Sequence, residues 1–386
     1  MTRNHQQIGR MNTQPRPATW LEIDITALLE NVAALRRVVG ENVALFPVVK
    51  ANAYGHGAVP VAHALLSAGC AGLCVARLDE GIALRQAGIR APIWILGWIP
   101  PEHISAAVEY RLTPTINSLA QAAALHAATP RGEQTPIHIK VDTGLSRYGL
   151  LPDEVPPFVR DMRMFNHLSI EGLWTHMARA DEPDPTPTQR QLARFAHVLE
   201  AVHAEGVHPR WLHTAASAAI LNPALENAAH FNAVRPGISI YGLRPSHEVA
   251  WPIHLRPVLT WKARVARVRE LPAGTAISYG GTFVTPHAMR VALVPVGYGD
   301  GYPRALSNRG EVLIQGRRCR IVGRVCMDNI VVDINHVEHV EEGDEVVLIG
   351  RQGDAAITAD DLANWLGTIN YEVVTQILPR VPRFYI

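Results

Sequence analysis

The chain has 386 residues, of which 48% are hydrophobic and 18% charged, so it can bury a large core and is too long for one ordinary domain. Its 36 basic and 35 acidic side chains give a net charge of +1, which excludes a broad field for nucleic acid or an anionic membrane. No long apolar span or signal-type segment is present, and the expectation is a cytoplasmic protein with no membrane and no nucleic-acid partner.

Residues 1–18 are polar and Pro-containing and read as a flexible tail. From about residue 26 to residue 240, short apolar runs alternate with stretches of helical spacing. The runs are Val43–Val49, Ala71–Ala76, Ile93–Leu96, Leu112–Ile116, Ile137–Val141, Leu168–Trp174, Trp211–Ala215 and Phe231–Val234. Amphipathic segments such as Val59–Ser67, Glu80–Gln86 and Gln189–Glu200 lie between them. Apolar strands with helical crossovers make a parallel sheet covered on both faces. Eight such units predict an α/β fold, a (β/α)8 TIM-type barrel, over residues 19–250. The Pro-rich stretch Asp181–Thr188 reads as a surface loop before a helix.

After about residue 250 the texture changes. Strand-like segments Leu259–Val268, Met289–Val294, Glu311–Ile314, Arg320–Val325 and Val346–Ile349 are joined by Gly/Pro/Asp turns, and a helical pattern returns at Ala359–Leu366. A mostly β C-terminal domain over 251–386 is expected. The cysteines Cys70, Cys74, Cys319 and Cys326 have no zinc spacing and read as reduced core thiols, with no metal site.

Barrel enzymes carry their chemistry where strands end and loops begin. Lys50 ends the first run, in Val-Val-Lys-Ala-Asn-Ala-Tyr-Gly-His-Gly. Alone, such a lysine reads as a rim charge. Tyr54 and the glycines after it point to a site, because they allow close backbone approach and offer a phenol to an anion. A desolvated lysine is also the residue that forms Schiff bases. Arg147 follows the fifth run, His176 the sixth, Ser217 the seventh, and Arg235-Pro236-Gly237-Ile238 the eighth. Each is weak evidence alone. Their common position at successive strand ends carries the argument, and the last two strands of a barrel commonly hold phosphate.

These segments resemble the alanine racemase family. The match runs through Lys50–Gly57, Lys140–Arg147, Thr175-His176, Val234–Ile238, Ser278-Tyr279-Gly280, Val296–Tyr302, Gly323–Asp328 and Asn370-Tyr371-Glu372, in the family's order. The resemblance implies a pyridoxal phosphate (PLP) enzyme that interconverts L- and D-alanine, supplying D-alanine for peptidoglycan. It also implies a head-to-tail homodimer whose active sites are shared between subunits. By the same resemblance Lys50 holds PLP as an imine and serves as one base, and Tyr279 of the other subunit is the opposite base. Arg147 binds the phenolic oxygen and the substrate side, and Arg235 faces the pyridine nitrogen. Tyr54, Ser217, Gly237, Ile238 and Tyr371 hold the phosphate, and His176 orients Tyr279. Met327, Asp328 and Tyr298 line the substrate side and entrance, while Lys140 matches a position that is often carbamylated. One departure is Ala216, where the family commonly has Asn.

The alternatives are a serine or broad-specificity racemase, a PLP-dependent decarboxylase of the same architecture, a non-enzymatic PLP carrier and a purely structural barrel. An acid at the pyridine nitrogen would mark the decarboxylase, and Arg235 stands there instead. A carrier would need only the barrel, so the β domain with Tyr279 and Met327 speaks against it.

Overall fold

The structure, a computed structural model, describes residues 16–225 and 231–386; the expected tail at 1–18 lies, apart from its last three residues, outside the described residues. The chain divides into two compact units. One comprises residues 27–53 and 58–256; the other comprises the described residues up to Thr26 together with 54–57 and 257–386.

The first strand, β1 (Thr19–Ile23), does not belong to the barrel. The eight barrel strands follow it: β2 (Ala44–Leu45), β3 (Leu73–Val75), β4 (Ile93–Ile95), β5 (Thr113–Pro114), β6 (Thr135–Lys140), β7 (Leu168–Trp174), β8 (Trp211–Ala216) and β9 (Ala233–Arg235). Each lies in or overlaps one of the eight apolar runs. They pair in parallel in the orders β2-β9-β8-β7-β6 and β3-β4-β5. The single parallel bridges Val48↔Cys74 and Thr115↔His138 join the two sets and close the ring. Closure removes the open edges that a flat sheet would leave unpaired.

The crossover helices include Ala58–Ser67, Leu78–Gln86 and Thr186–Ala204, which contain the expected amphipathic segments. The last buries Leu192, Phe195, Val198 and Val202 along one stripe, the spacing of a helix lying on a sheet. It begins at Thr186, with Pro187 in its first turn, so the expected loop 181–188 gives up its last three residues to the helix. Inside the barrel large and small residues alternate. His138 of β6 lies opposite Gly172 of β7, and a Cβ at Gly172 would meet the imidazole at 2.5 Å.

The second unit is built on β10 (Leu259–Arg264), β11 (Arg267–Leu271), β12 (Ala276–Ile277), β13 (Phe283–Val284), β14 (Met289–Val294), β15 (Glu311–Ile314), β16 (Arg317–Arg320), β17 (Ile330–Asp333), β18 (Glu345–Gln352), β19 (Ala355–Ile357) and β20 (Arg383–Tyr385). The main sheet runs β16-β15-β18-β10-β1-β20, with β19 beside β18. β1 is antiparallel to β10 and parallel to β20. The expected boundaries at 19 and 250 therefore shift, because Thr19–Ile23 makes its ladder here and the break falls at 256/257.

Two expected strands differ. Leu259–Val268 is two strands: β10 stays in the main sheet, and after Ala266 the chain joins β11-β14-β17. Within Arg320–Val325 the strand ends at Arg320 and a single bridge, Ile321↔Val332, follows; Gly323 at φ +80° then turns the chain and donates its amide to Asn308 Oδ1 at 2.6 Å. Met289–Val294, Glu311–Ile314 and the helix Ala359–Leu366 fall where expected. In this unit the Gly55-His56-Gly57 segment needs its glycines for close approach. A Cβ would come within 2.1 Å of the Val374 carbonyl at Gly55 and 1.9 Å of the Tyr385 hydroxyl at Gly57.

Candidate active site

Lys50 leaves the end of the first barrel run into an unusual turn. Ala51, Asn52, Ala53 and Tyr54 all have φ between +50° and +55°, a left-handed helical turn without glycine. Each such residue costs about 1–2 kcal/mol relative to the right-handed conformation, so the turn must be held by its surroundings. Asn52 Oδ1 accepts from the amide of Ala58 at 2.8 Å, and Glu80 Oε1 accepts from that of Ala51 at 2.6 Å. Burial lowers the pKa of Lys50, Arg147 lowers it further and Glu80 opposes them. The shift is in the direction that favours the neutral amine, the form that serves as nucleophile or base.

The loop after β6 wraps a carboxylate. Asp142 Oδ1 accepts the amides of Gly144, Leu145 and Ser146 at 3.0 Å, and Oδ2 that of Arg147 at 3.1 Å. Burial alone would raise the Asp142 pKa; the four amides outweigh it and hold the carboxyl ionised. This nest fixes the backbone from which Arg147 projects. Just before it, Lys140 is almost fully buried and donates to the Tyr148 carbonyl at 2.5 Å. Burial first, then Arg147 and Arg235, lower its pKa to about 8, against an opposing pull from Asp142. Its Nζ lies 5.2 Å from the Trp174 ring, whose buried Nε1 has no hydrogen-bond partner among the described residues.

Arg235, at the end of β9, is 1% exposed. Its Nη1 donates to the His213 carbonyl at 2.7 Å and to His213 Nδ1 at 2.5 Å, and its Nη2 to the Thr175 carbonyl at 2.8 Å. Guanidinium only donates, so His213 Nδ1 must be an acceptor, and a neutral His213 carries its proton on Nε2. That nitrogen meets His138 Nδ1 at 3.0 Å, so His138 in turn is protonated on Nε2. Both imidazoles stay neutral: burial and then Arg235 lower His138 to about 3, and push His213 well below its ordinary value. Burial lowers Arg235 to about 10, which leaves it charged at neutral pH. His176 is likewise held at about 3, by burial and then by Arg235, Arg147, Lys140 and Lys50. Four basic side chains act on this one imidazole, a local positive field suited to an anion in a chain of net charge +1.

At the ends of β8 and β9, Ser217 Oγ accepts from Gly237 N at 2.9 Å, Ser239 N at 3.2 Å and Ser239 Oγ at 2.9 Å. The hydroxyl's remaining capacity is to donate. Ser217, Gly237 and Ile238 therefore lie together at two adjoining chain turns rich in donors, which fits a phosphate group. Ala216 takes no side-chain part there; it precedes the short helix Ser217–Leu221 without a side-chain cap.

The other unit gathers the remaining residues in two places. Tyr54 and Tyr371 have ring centroids 6.3 Å apart. Tyr279 sits on a turn where Ser278 has φ +63° and Gly280 φ +74°, and it is 72% exposed. Ser278 Oγ donates to the Arg324 carbonyl at 2.7 Å, which ties this turn to the segment ahead of Met327 and Asp328. Tyr298 joins the same segment: its amide donates to the Cys326 carbonyl at 3.0 Å, and that of Gly299 to Met327 O at 2.8 Å. A Cβ at Gly297 would lie 2.2 Å from the Cys326 carbonyl.

Three organising residues carry no sequence signal of their own. Glu80 resembles any acid on a solvated helix face. Gln191 is buried, donates to Thr143 Oγ1 at 3.1 Å and to the His176 carbonyl at 3.3 Å, and accepts from Ala178 N at 2.9 Å. Arg380 donates at 2.6 Å both to Asp300 Oδ1 and to Asp328 Oδ1, joining the Tyr298 and Asp328 loops. Only a spacing of 52 and 80 residues connects these partners in sequence, too far for any local pattern.

A lysine of lowered pKa, surrounding basic side chains and a donor-rich pair of turns at one set of barrel strand ends make a site suited to a phosphorylated carbonyl cofactor on an α/β barrel. Residues 23–245 match the family model of the alanine racemase N-terminal domain, and residues 258–385 that of the alanine racemase C-terminal domain. The chain is 46% identical over 369 residues to an alanine racemase of Carboxydothermus hydrogenoformans, covering 95% of this chain and 99% of that one. It is 47% identical to one of Symbiobacterium thermophilum, covering 95% and 97%. The alanine racemase of Bacillus anthracis, solved with bound L-Ala-P, superposes with a TM-score of 0.91 at 39% identity, covering 97% of this chain and 96% of that chain. The chain belongs to the alanine racemase family. It is a PLP-dependent isomerase acting on alanine. No helix among the described residues is long and apolar enough to cross a membrane.

Proposed function

We propose that Lys50 and Tyr279 are the two bases of the racemisation, and that they come from different subunits of a head-to-tail homodimer. PLP, when bound, supplies the electron sink that makes the Cα proton of alanine acidic. Inversion then requires removal of that proton on one face and delivery on the other. Two bases on opposite faces achieve this without one group crossing the substrate. Lys50 suits one role because burial and Arg147 both lower the pKa of its amine. The observation that carries the shared site is the exposure of Tyr279, beside the exposed Tyr298 and Met327 on the loops joined by Ser278 and Arg380. A cluster of large exposed side chains marks a surface that a partner covers.

The barrel residues take the roles their chemistry allows. Ser217, Gly237 and Ile238 hold the phosphate, joined in the family pattern by Tyr54 and Tyr371. Arg147 binds the phenolic oxygen and the substrate carboxylate, and neutral His176 orients Tyr279. Arg235 would face the pyridine nitrogen; having no acceptor, it could not stabilise a proton there, which would keep the sink shallow and favour reprotonation at Cα by the opposite base. Met327, Asp328 and Tyr298 line the substrate side and its entrance.

Lys140 carries a carbamate in this reading. A neutral amine is the nucleophile for carbon dioxide, and burial beside Arg147 and Arg235 holds the Lys140 pKa near about 8. The carbamate's oxygens would accept from Arg147, whose charge already acts on Lys140. The cytoplasm is the proposed site of action, supported by four free cysteines, three of them buried.

Borohydride reduction of the purified protein, followed by peptide mapping, tests the cofactor assignment. The label is expected on Lys50, with a band near about 420 nm that bleaches on reduction. A label on another lysine overturns it. Assay of both enantiomers of alanine beside serine and lysine tests the substrate, with alanine expected to be turned over fastest.

A further inference from the structure

Glu80 occupies the third position of the helix Leu78–Gln86, where a carboxylate ordinarily closes a capping box on its own N-terminus. One oxygen does this: Oε2 accepts from the amides of Ala76 and Arg77 at 2.8 and 3.0 Å. The other leaves the helix. Glu80 Oε1 accepts from the amide of Ala51 at 2.6 Å, at the residue that follows Lys50 and begins the left-handed turn. A cap needs only the first interaction.

The barrel contacts between these two chain segments are sparse. Ala71 N bonds Leu45 O at 2.9 Å, and the Val48↔Cys74 bridge that follows consists of two bonds, Cys74 N to Pro47 O at 2.8 Å and Val49 N to Cys74 O at 2.9 Å. None of these reaches past Val49. The Glu80 carboxylate adds a tie beyond the end of that ladder, beside the lysine itself. It fastens the start of a turn whose four residues all occupy a conformation that L side chains rarely adopt.

We propose that Glu80 is a positioning residue for the reaction: its carboxylate, shared between its own helix cap and the Ala51 amide, holds the left-handed turn that aims Lys50. A neutral amide cannot serve both ends. Glutamine keeps one acceptor for the cap, but its second atom is a donor that opposes the Ala51 N–H. The charge of Glu80 also acts on Lys50, against burial and Arg147. The proposal deepens the reading of Lys50 as the cofactor lysine and rests on it.

Residue-resolved amide hydrogen exchange on the full-length protein separates the two functions of the carboxylate. In E80Q the Ala51 amide should exchange about tenfold faster or more, as expected for loss of a charge-assisted bond, while Ala76 and Arg77 stay near native. After cofactor removal, E80Q should also form the Lys50 imine with added pyridoxal phosphate more slowly than the native chain. E80D keeps charge and cap but falls one methylene short of Ala51. It should show the same acceleration at Ala51, and it carries the comparison if E80Q does not fold. D79N, which removes an acid of the same helical turn paired with Arg77, should be native in both readouts. Faster exchange confined to Ala76 and Arg77, or native Ala51 exchange and imine formation in both Glu80 variants, overturns the proposal. A borohydride label on a different lysine would instead overturn the cofactor assignment and leave the Ala51 result standing.

Discussion

Acidification below neutral pH should unfold the barrel unit through its buried imidazoles. His138 and His176 have folded-state pKa values of about 3 against an ordinary 6.5, and His213 is displaced in the same direction. Each folded pKa lies below the unfolded one. The unfolded chain therefore binds more protons between pH 6.5 and pH 3, and stability present above pH 6.5 is lost as pH falls through that window. At 1.36 kcal/mol per pKa unit, His138 and His176 each cost about 2 kcal/mol at pH 5, and His213 adds to that total. Carboxylates such as Asp142 contribute only at lower pH, below their unfolded range.

The assay is urea unfolding of the cofactor-stripped protein at pH 7.5 and pH 5, followed by tryptophan fluorescence. Trp94 and Trp174 stack on His213, with ring centroids 4.6 and 5.7 Å away, so they report the right region. The wild type should lose several kcal/mol between the two conditions, and His138→Gln should lose about 2 kcal/mol less. Equal stability at both pH values would refute the reasoning, and so would an unchanged pH response in His138→Gln.

Two further outcomes follow from the barrel residues. Arg235→Glu would place an acceptor where only a donor stands, so transamination should rise relative to racemisation; unchanged partitioning counts against the role given to Arg235. Lys140, with its pKa lowered to about 8, should take up 13C-labelled carbon dioxide at neutral pH and show a carbamate resonance absent from Lys140→Arg, and no difference between the two spectra excludes the carbamate.

The barrel was legible because its eight short runs are rich in apolar residues and separated by helical spacing. The residues at their ends could be read once the strands were placed, since strand ends are where loops deliver side chains. β1 was not assigned to its sheet because its partners, β10 and β20, lie more than 200 residues away. The left-handed turn at Ala51–Tyr54 contains no glycine to announce it, only glycines just beyond at Gly55 and Gly57. Glu80 and Arg380 were invisible for a different reason. A charged side chain on an exposed face and one that bridges distant loops have the same local pattern, and only the folded backbone distinguishes them.

Mixing subunits tests the shared two-base site most directly. Lys50→Ala and Tyr279→Phe homodimers should each be inactive or nearly so. After demonstrated subunit exchange, heterodimers contain one site with both substitutions and one with neither, and activity should reappear toward half of native per heterodimer. Exchange without recovery would contradict a site built from Lys50 of one subunit and Tyr279 of the other.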